Sequence, residues 1–379
     1  MADPASFFHL TAQYPDEASA EQYFIKQRWP NGVRCPHCGS DKVVRGTQPG
    51  RARQLWTCQC RKQFSVTSGT VMDSTKTPLR KWLFAFHLMG GSKKGMSARQ
   101  IARTVDVTPQ TAWHMGHRVR ETMVDNGQKF TGIVETDETY IGGRRTGHGR
   151  GYKGNKAAVL AIVRRNTPGK TDGRVQAISL AHEKVDGRTV GPKLRAHTVP
   201  GRTVLMTDEA PMYERLGERF KDHHTVNHKA KEYVREDMDG HLATTNTAEG
   251  YFANLKRQIH GTHHHTSKKH LPKYLEEHDY KYNTRGKTDA ERTEQAIGNI
   301  EGRRLRLYQP ASGSGAALFD GKAGEPRRKP KRPVKKHRST KTARLVTQAI
   351  GPRPIPPREP PAPSETAETP GKTGRSGGR

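Results

Sequence analysis

The chain has 379 residues with 67 Lys and Arg against 37 Asp and Glu, and its net charge of +30 exceeds what solubility requires, implying a polyanionic partner, nucleic acid first. The excess is not a tail effect, since residues 321–379 hold 16 basic and 4 acidic side chains and the rest of the chain keeps 51 against 33. No run of about 18 apolar residues exists, and the N-terminus lacks the charged-then-apolar order of a secretory signal, which argues against membrane-spanning and secreted classes and predicts a cytoplasmic protein.

Residues 17–28 predict a short helix with Ala20, Tyr23, Phe24 and Gln27 on one side, stopped by Trp29-Pro30-Asn31-Gly32. The four cysteines follow within 26 residues, and in a reducing compartment such clustering favours a metal over disulfides. Cys35-Pro-His-Cys38-Gly39 has the shape of a zinc knuckle, in which a tight turn aims two thiolates at one ion and the glycine relieves the backbone. The second pair, Cys58-Gln-Cys60, is one residue shorter than the usual spacing, so tetrahedral chelation strains it more, and His37 is a substitute ligand if one thiolate falls short. A zinc ribbon over 17–75 is the expectation, with Cys35, Cys38, Cys58 and Cys60 as ligands of a structural Zn²⁺.

Residues 78–90 read as a helix whose Trp82, Phe84 and Phe86 face a core. In the next stretch Ser97 and Gln100 form a capping box, a helix runs to about Val105, and Thr108 with Pro109 starts a second helix after a three-residue turn. This is helix-turn-helix spacing, placing a DNA-binding region over 76–126. The second helix is expected to carry Gln110, Thr111, His114 and His117 outward, the first three as DNA contacts, and to pack Ala112, Trp113 and Val119.

From residue 130 the pattern turns to strands, at 132–141, 157–164 and 174–180, followed by a crossover helix at 186–197 and a buried strand at 202–207 ending in Asp208. A helix at 211–220, a short run at 223–228, an amphipathic helix at 247–260 and another at 268–283 complete the series. Three antiparallel strands, a crossover and a parallel strand define an α/β fold with an RNase H-like core over 130–290. Residues 310–379 have no periodicity and 11 prolines from Pro326 onward, and they are expected to be a disordered basic tail that grips phosphates without reading sequence.

Three acidic residues carry the chemistry. Asp137 interrupts an apolar strand and Asp208 follows Val204-Leu205-Met206, where an unpaired charge is costly without a role. Glu249 opens the amphipathic helix. Carboxylates that converge this way suit two Mg²⁺ (or Mn²⁺) ions about 4 Å apart, one serving the nucleophile and one the leaving oxygen of a phosphodiester. Glu135, Glu138 and Glu209 are neighbours that complicate the assignment. Lys256, two helical turns after Glu249, and Arg257 beside it are candidate phosphate contacts.

The order CPHCG, CQCRKQFSVTSGTVM, helix-turn-helix, TDETYIGG, TDEAPMY and NTAEGYFANLKRQIHGTHHHTSKKHLPKYLEEHDYKYN resembles the zinc-ribbon DDE transposases of bacterial insertion sequences, relatives of the Merlin elements, over about residues 17–290. The resemblance implies Mg²⁺-dependent hydrolysis at transposon ends, attack of the freed 3′-hydroxyl on target DNA, Asp137, Asp208 and Glu249 as the triad, and Lys256 as the accompanying basic residue. Some relatives use Asn as the third ligand, which brings in Asn246. The run His260 to His265 matches the family and reads as backbone contact or loop packing. Double-stranded DNA is the implied partner, a dimer or larger assembly the implied synaptic form, and the nucleoid the implied location. Two rival readings are a DNA-binding regulator with an inactive core and an RNase H-like nuclease that cuts without joining.

Overall fold

The computed structural model describes residues 6–46, 53–125, 127–142, 156–226 and 242–305, and the backbone of 235–236. The tail expected over 310–379 lies outside the described residues.

Two helices open the fold, α1 (Phe7–Gln13) and α2 (Glu17–Arg28). Asp16 caps α2 through a reciprocal capping box with Ser19, which fixes the helix at the predicted start. Three short strands, β1 (Val43–Arg45), β2 (Trp56–Cys58) and β3 (Gln63–Phe64), form an antiparallel ribbon in that order. Next come α3 (Leu79–Gly91), α4 (Ala98–Val105) and α5 (Pro109–Thr122). Ser97 accepts from the Gln100 N–H, one half of the expected capping box, and Thr108 accepts from the Thr111 N–H. Asp106, at φ 53°, closes α4 in the left-handed region and makes the tight turn.

A five-stranded sheet follows, in the order β6-β5-β4-β7-β8. Its strands are β4 (Phe130–Ile141), β5 (Ala157–Arg164), β6 (Arg174–Ser179), β7 (Thr198–Asp208) and β8 (Asp222–Val226). The first three are antiparallel, and β7 and β8 run parallel to β4. The helix α6 (Gly187–His197), capped by Asp186, is the crossover into β7, and α7 (Pro211–Gly217) links β7 to β8. This is the anticipated meander, crossover and parallel strand, with β8 added at the edge. A small hairpin, β9 (Arg235–Glu236) and β10 (Leu242–Ala243), leads into α8 (Asn246–Arg257). One π-helical turn extends α8 through Gln258–His263, and α9 (Leu271–Asn283) and α10 (Asp289–Gly298) end the described chain.

The sheet is covered on both faces. Ala157, Val159, Ala161 and Val163 of β5 meet α8 and α9, while Ala158, Leu160 and Ile162 meet α6 and α7. That double burial explains why β5 reads as a continuous apolar run. A further core joins the ribbon to the helices: Trp29, Trp56 and Phe64 belong to one apolar cluster with Trp82, Phe86, Ile101 and Met115. The expected Trp82, Phe84 and Phe86 are all in it. So are Ala296, Ile297 and Ile300, because α10 returns from the end of the sheet domain to pack on α3. The return is pinned by backbone bonds of Val71 to Ile300 and Gly302 to Gly69, and by Arg28 to Glu301 at 3.1 Å.

Candidate active site and zinc centre

The four cysteines meet at one point. Their sulfurs lie within 4.8 Å of one another, with Cys35 to Cys60 at 3.8 Å and Cys38 to Cys58 at 3.5 Å. A tetrahedron with Zn–S of about 2.3 Å has edges of about 3.8 Å, so the donor set fits zinc without rearrangement. Arg61, just after the short pair, takes a positive φ of 62° and donates its N–H to the Cys58 carbonyl at 2.8 Å, closing a tight turn around the pair. Gly39, at φ 73°, does the same after Cys38. The Lys62 N–H draws the Cys60 thiol down to about 7, toward the thiolate a metal needs. His37 is exposed and outside the cluster, so the substitute ligand is not called upon.

The carboxylates are organised by strand register. In the parallel pair, Ile133 sits beside Val204 and Glu135 beside Met206. The β4/β7 ladder ends at that pair, and Asp137 and Asp208 each follow it by two residues, Asp137 still paired with Ala161 of β5 and Asp208 with Val226 of β8. Alternation puts both on the α8 side: Ile141 of β4 lies in the α8/α9 core, and Val204 and Met206 of β7 cluster with Ala243 just before α8. Glu138 points to the opposite face, where Tyr213 donates to it. Burial raises Glu138 to about 7, the Tyr213 hydrogen bond opposing the rise and the charges of Asp137 and Asp208 adding to it. Asp208 also accepts from the Ala210 N–H at 3.1 Å, and Asp137 from the Glu138 N–H at 2.7 Å.

Glu249 stands in the first turn of α8, exposed, while Ala248, Tyr251, Phe252 and Leu255 bury the other side of the helix. Asn246, one turn earlier, is exposed as well. Lys256 and Arg257 are exposed at the far end of the helix, and Arg257 donates to Asn254 at 3.1 Å. Glu135, which sequence reasoning left as a complication, is fully buried and receives the Arg165 guanidinium, the Thr247 hydroxyl and the Ala248 N–H.

The helical pair matches its expected spacing, and its outward residues divide. Pro109 and Gln110 are exposed at the start of α5, and Thr111 and His114 are half-buried. His117 is not outward: it is 2% exposed, packed among Trp113, His270 and Tyr274 at ring distances of 4.2, 5.0 and 5.6 Å. Burial, then Arg120, pushes it down to about 3, so it is neutral. In the histidine run His263 turns inward onto Tyr274 at 4.6 Å, while His260, His264 and His265 are exposed. Among the described residues no metal-holding group includes them.

Comparison with known proteins agrees with this composition. Residues 15–63 match the transposase zinc-ribbon domain and residues 129–283 the ISXO2-like transposase domain, so the chain carries matches to two insertion-sequence transposase domains, and structural zinc is supported by both the zinc-ribbon match and the cysteine cluster. A curated relative is the "uncharacterized protein in transposable element ISH50" of Halobacterium salinarum, 28% identical over 289 residues, covering 69% of this chain and 89% of that protein. A solved structure, the simian T-cell lymphotropic virus intasome in complex with PP2A regulatory subunit B56 gamma, aligns at 15% identity over 51% of this chain and 64% of that one. Its TM-score of 0.24 is too low to carry an argument. Among the described residues no helix is long and apolar enough to cross a membrane.

Proposed function

We propose that the protein binds the terminal repeats of its insertion sequence through the N-terminal modules and cuts and joins DNA with an RNase H-like DDE core. What supports this reading is the β4/β7 register, whose continuation two residues past Glu135 and Met206 would bring Asp137 level with Asp208, together with Glu249 in the first turn of α8, the helix whose Ala248 N–H bonds to Glu135 of β4. All donors in that set are hard oxygens, the kind Mg²⁺ and Mn²⁺ take. When bound, such ions supply activation of the attacking water or 3′-hydroxyl and stabilisation of the leaving oxygen. The protein's own part is to hold three carboxylates on rigid elements around one phosphate and to orient the strand. Lys256 and Arg257, further along α8, meet the flanking phosphates, and the exposed start of α5 with Gln110 faces the repeat. Synapsis of two ends calls for a dimer or larger assembly, acting at the nucleoid.

The test is metal-dependent cleavage of duplexes carrying the gene's own flanks. Wild type is expected to cut at a repeat boundary, and Asp208→Asn to lose on the order of 10³-fold or more in rate while still binding the duplex. Glu249→Gln should match that loss and Asn246→Ala should not. Binding without cutting by wild type favours the regulator, and cutting without strand joining favours the nuclease. Lys256→Ala should weaken binding alike on all sequences and reduce the salt slope by about 1. An unchanged slope removes Lys256 from the phosphate contacts.

A further inference from the structure

At the start of α8 the Thr244 hydroxyl accepts the Asn246 N–H at 3.1 Å, and the rest of the first turn looks elsewhere for partners. Thr245 precedes it and makes no side-chain cap bond, although the first turn of any helix leaves N–H groups without intrahelical partners. A second cap comes from β4 of the sheet beneath the helix. Glu135 accepts the Ala248 N–H at 2.9 Å and the Thr247 hydroxyl at 2.7 Å, and its charge suits the positive end of the helix. Arg165, just past β5, donates at 2.6 Å to Oε1, the oxygen that also accepts Thr247, while Oε2 takes the Ala248 N–H. The same guanidinium donates to the Leu242 and Thr244 carbonyls at 2.7 and 2.8 Å, fastening the segment that enters α8.

We propose that Glu135 is a positioning residue which, held by Arg165, sets the helix carrying Glu249 against the strand carrying Asp137 and so fixes the geometry of the carboxylate site. The proposal rests on the reading of that site as catalytic. Glu135 is two residues before Asp137 on the same face of the same strand, and its bond to Ala248 ends one residue before Glu249. One side chain therefore ties the carriers of the first and third carboxylates. Stability alone does not call for this arrangement, because a buried ion pair is commonly replaced by apolar residues without loss. What apolar residues do not supply is directional bonding to one helix terminus.

The experiment compares full-length wild type, Glu135→Gln, Thr247→Ala and Thr247→Ser. Three quantities are read: hydrogen exchange of the first turn of α8 in metal-free protein, Mn²⁺ affinity by electron paramagnetic resonance, and end cleavage. Glu135→Gln should speed exchange about tenfold in that turn and not in α9, and weaken Mn²⁺ binding about 10–100-fold, with cleavage partly recovered at high Mn²⁺. Thr247→Ala should shift all three in the same direction by less, and Thr247→Ser should restore them. The threonine pair carries the test if Glu135→Gln fails to fold. Faster exchange with unchanged Mn²⁺ affinity overturns the positioning role, as does unchanged exchange. A wild type that neither binds Mn²⁺ nor cuts overturns the catalytic reading itself.

Discussion

Removing zinc from the cysteine cluster is expected to unfold more than the ribbon. Structural zinc contributes about 10 kcal/mol or more to isolated finger peptides, because the ordered site exists only with the metal. In this chain the ribbon does not stand apart. Trp29 packs edge-on to Trp56 and Phe64 at 5.5 and 6.0 Å, and the three belong to the same apolar core as α3, α4 and α5. Arg28, which donates to Val66 and pairs with Glu301, couples the ribbon to the returning C-terminal segment. Cys58→Ser, or a strong chelator, should therefore abolish the near-ultraviolet signal of Trp29 and Trp56 and also lower the melting temperature of the helical region by about 10 °C, which is the transmission of about 3 kcal/mol through the shared core at about 3 °C per kcal/mol for a domain of about 150–250 residues. Metal analysis should find one zinc per chain in the wild type. A helical region that melts unchanged after zinc loss would show that the shared core does not transmit the effect.

The elements legible in the sequence are those whose burial leaves a periodic or continuous apolar mark. The run Ala157–Arg164 is buried on both faces and needs no context to be read as a strand. The first two aspartates stand out for the same reason, as charges inside apolar runs. What the sequence does not separate is Glu135, Asp137 and Glu138, three acids in four residues. Alternation distinguishes Glu138 from the others, but Glu135 and Asp137 share a face, and only the arrival of α8 and Arg165, which bond to Glu135, tells the two apart. The last helix escaped notice because its apolar content is small, although Thr288 and Glu291 form a reciprocal capping box that is a readable start signal. His117 was misplaced for a different reason: the face of α5 that carries it is covered by α9, more than 150 residues away in sequence, and nothing within a helical hairpin reveals what a distant helix will bury.

Breaking the ion pair between Arg120 and Glu277 should be the most damaging single change outside the metal sites. Glu277 of α9 is fully buried, and it receives Arg120 of α5 at 2.7 Å and Lys281, one turn along, at 2.6 Å. The Arg120 guanidinium also lies 4.1 Å over the Tyr274 ring. On its other side α9 is bonded to the sheet and to α8, Asp279 accepting the N–H of Ala177 in β6 at 2.8 Å and the hydroxyl of Tyr251 in α8 at 2.6 Å. The pair thus fastens the helical DNA-binding candidate to the catalytic candidate. Arg120→Met leaves a buried carboxylate with Lys281 alone and should cost about 3–5 kcal/mol, measured by denaturant unfolding. Replacing all three charges with Met and Leu should recover most of it, since the loss comes from the orphaned charge and not from missing attraction. Burial would raise the Glu277 carboxyl, but Arg120 and then Lys281 outweigh it and hold the group well below the usual carboxylate range. The folded value being the lower one, this stabilisation is complete above about pH 5 and fades as the pH falls below the unfolded value of about 4.3 toward the folded one. The gap between wild type and Arg120→Met should therefore be flat from pH 5 to 8 and narrow in acid. A gap that instead widens in acid, or a triple variant no better than Arg120→Met, would mean that packing around Tyr274 rather than charge pairing holds the two modules together.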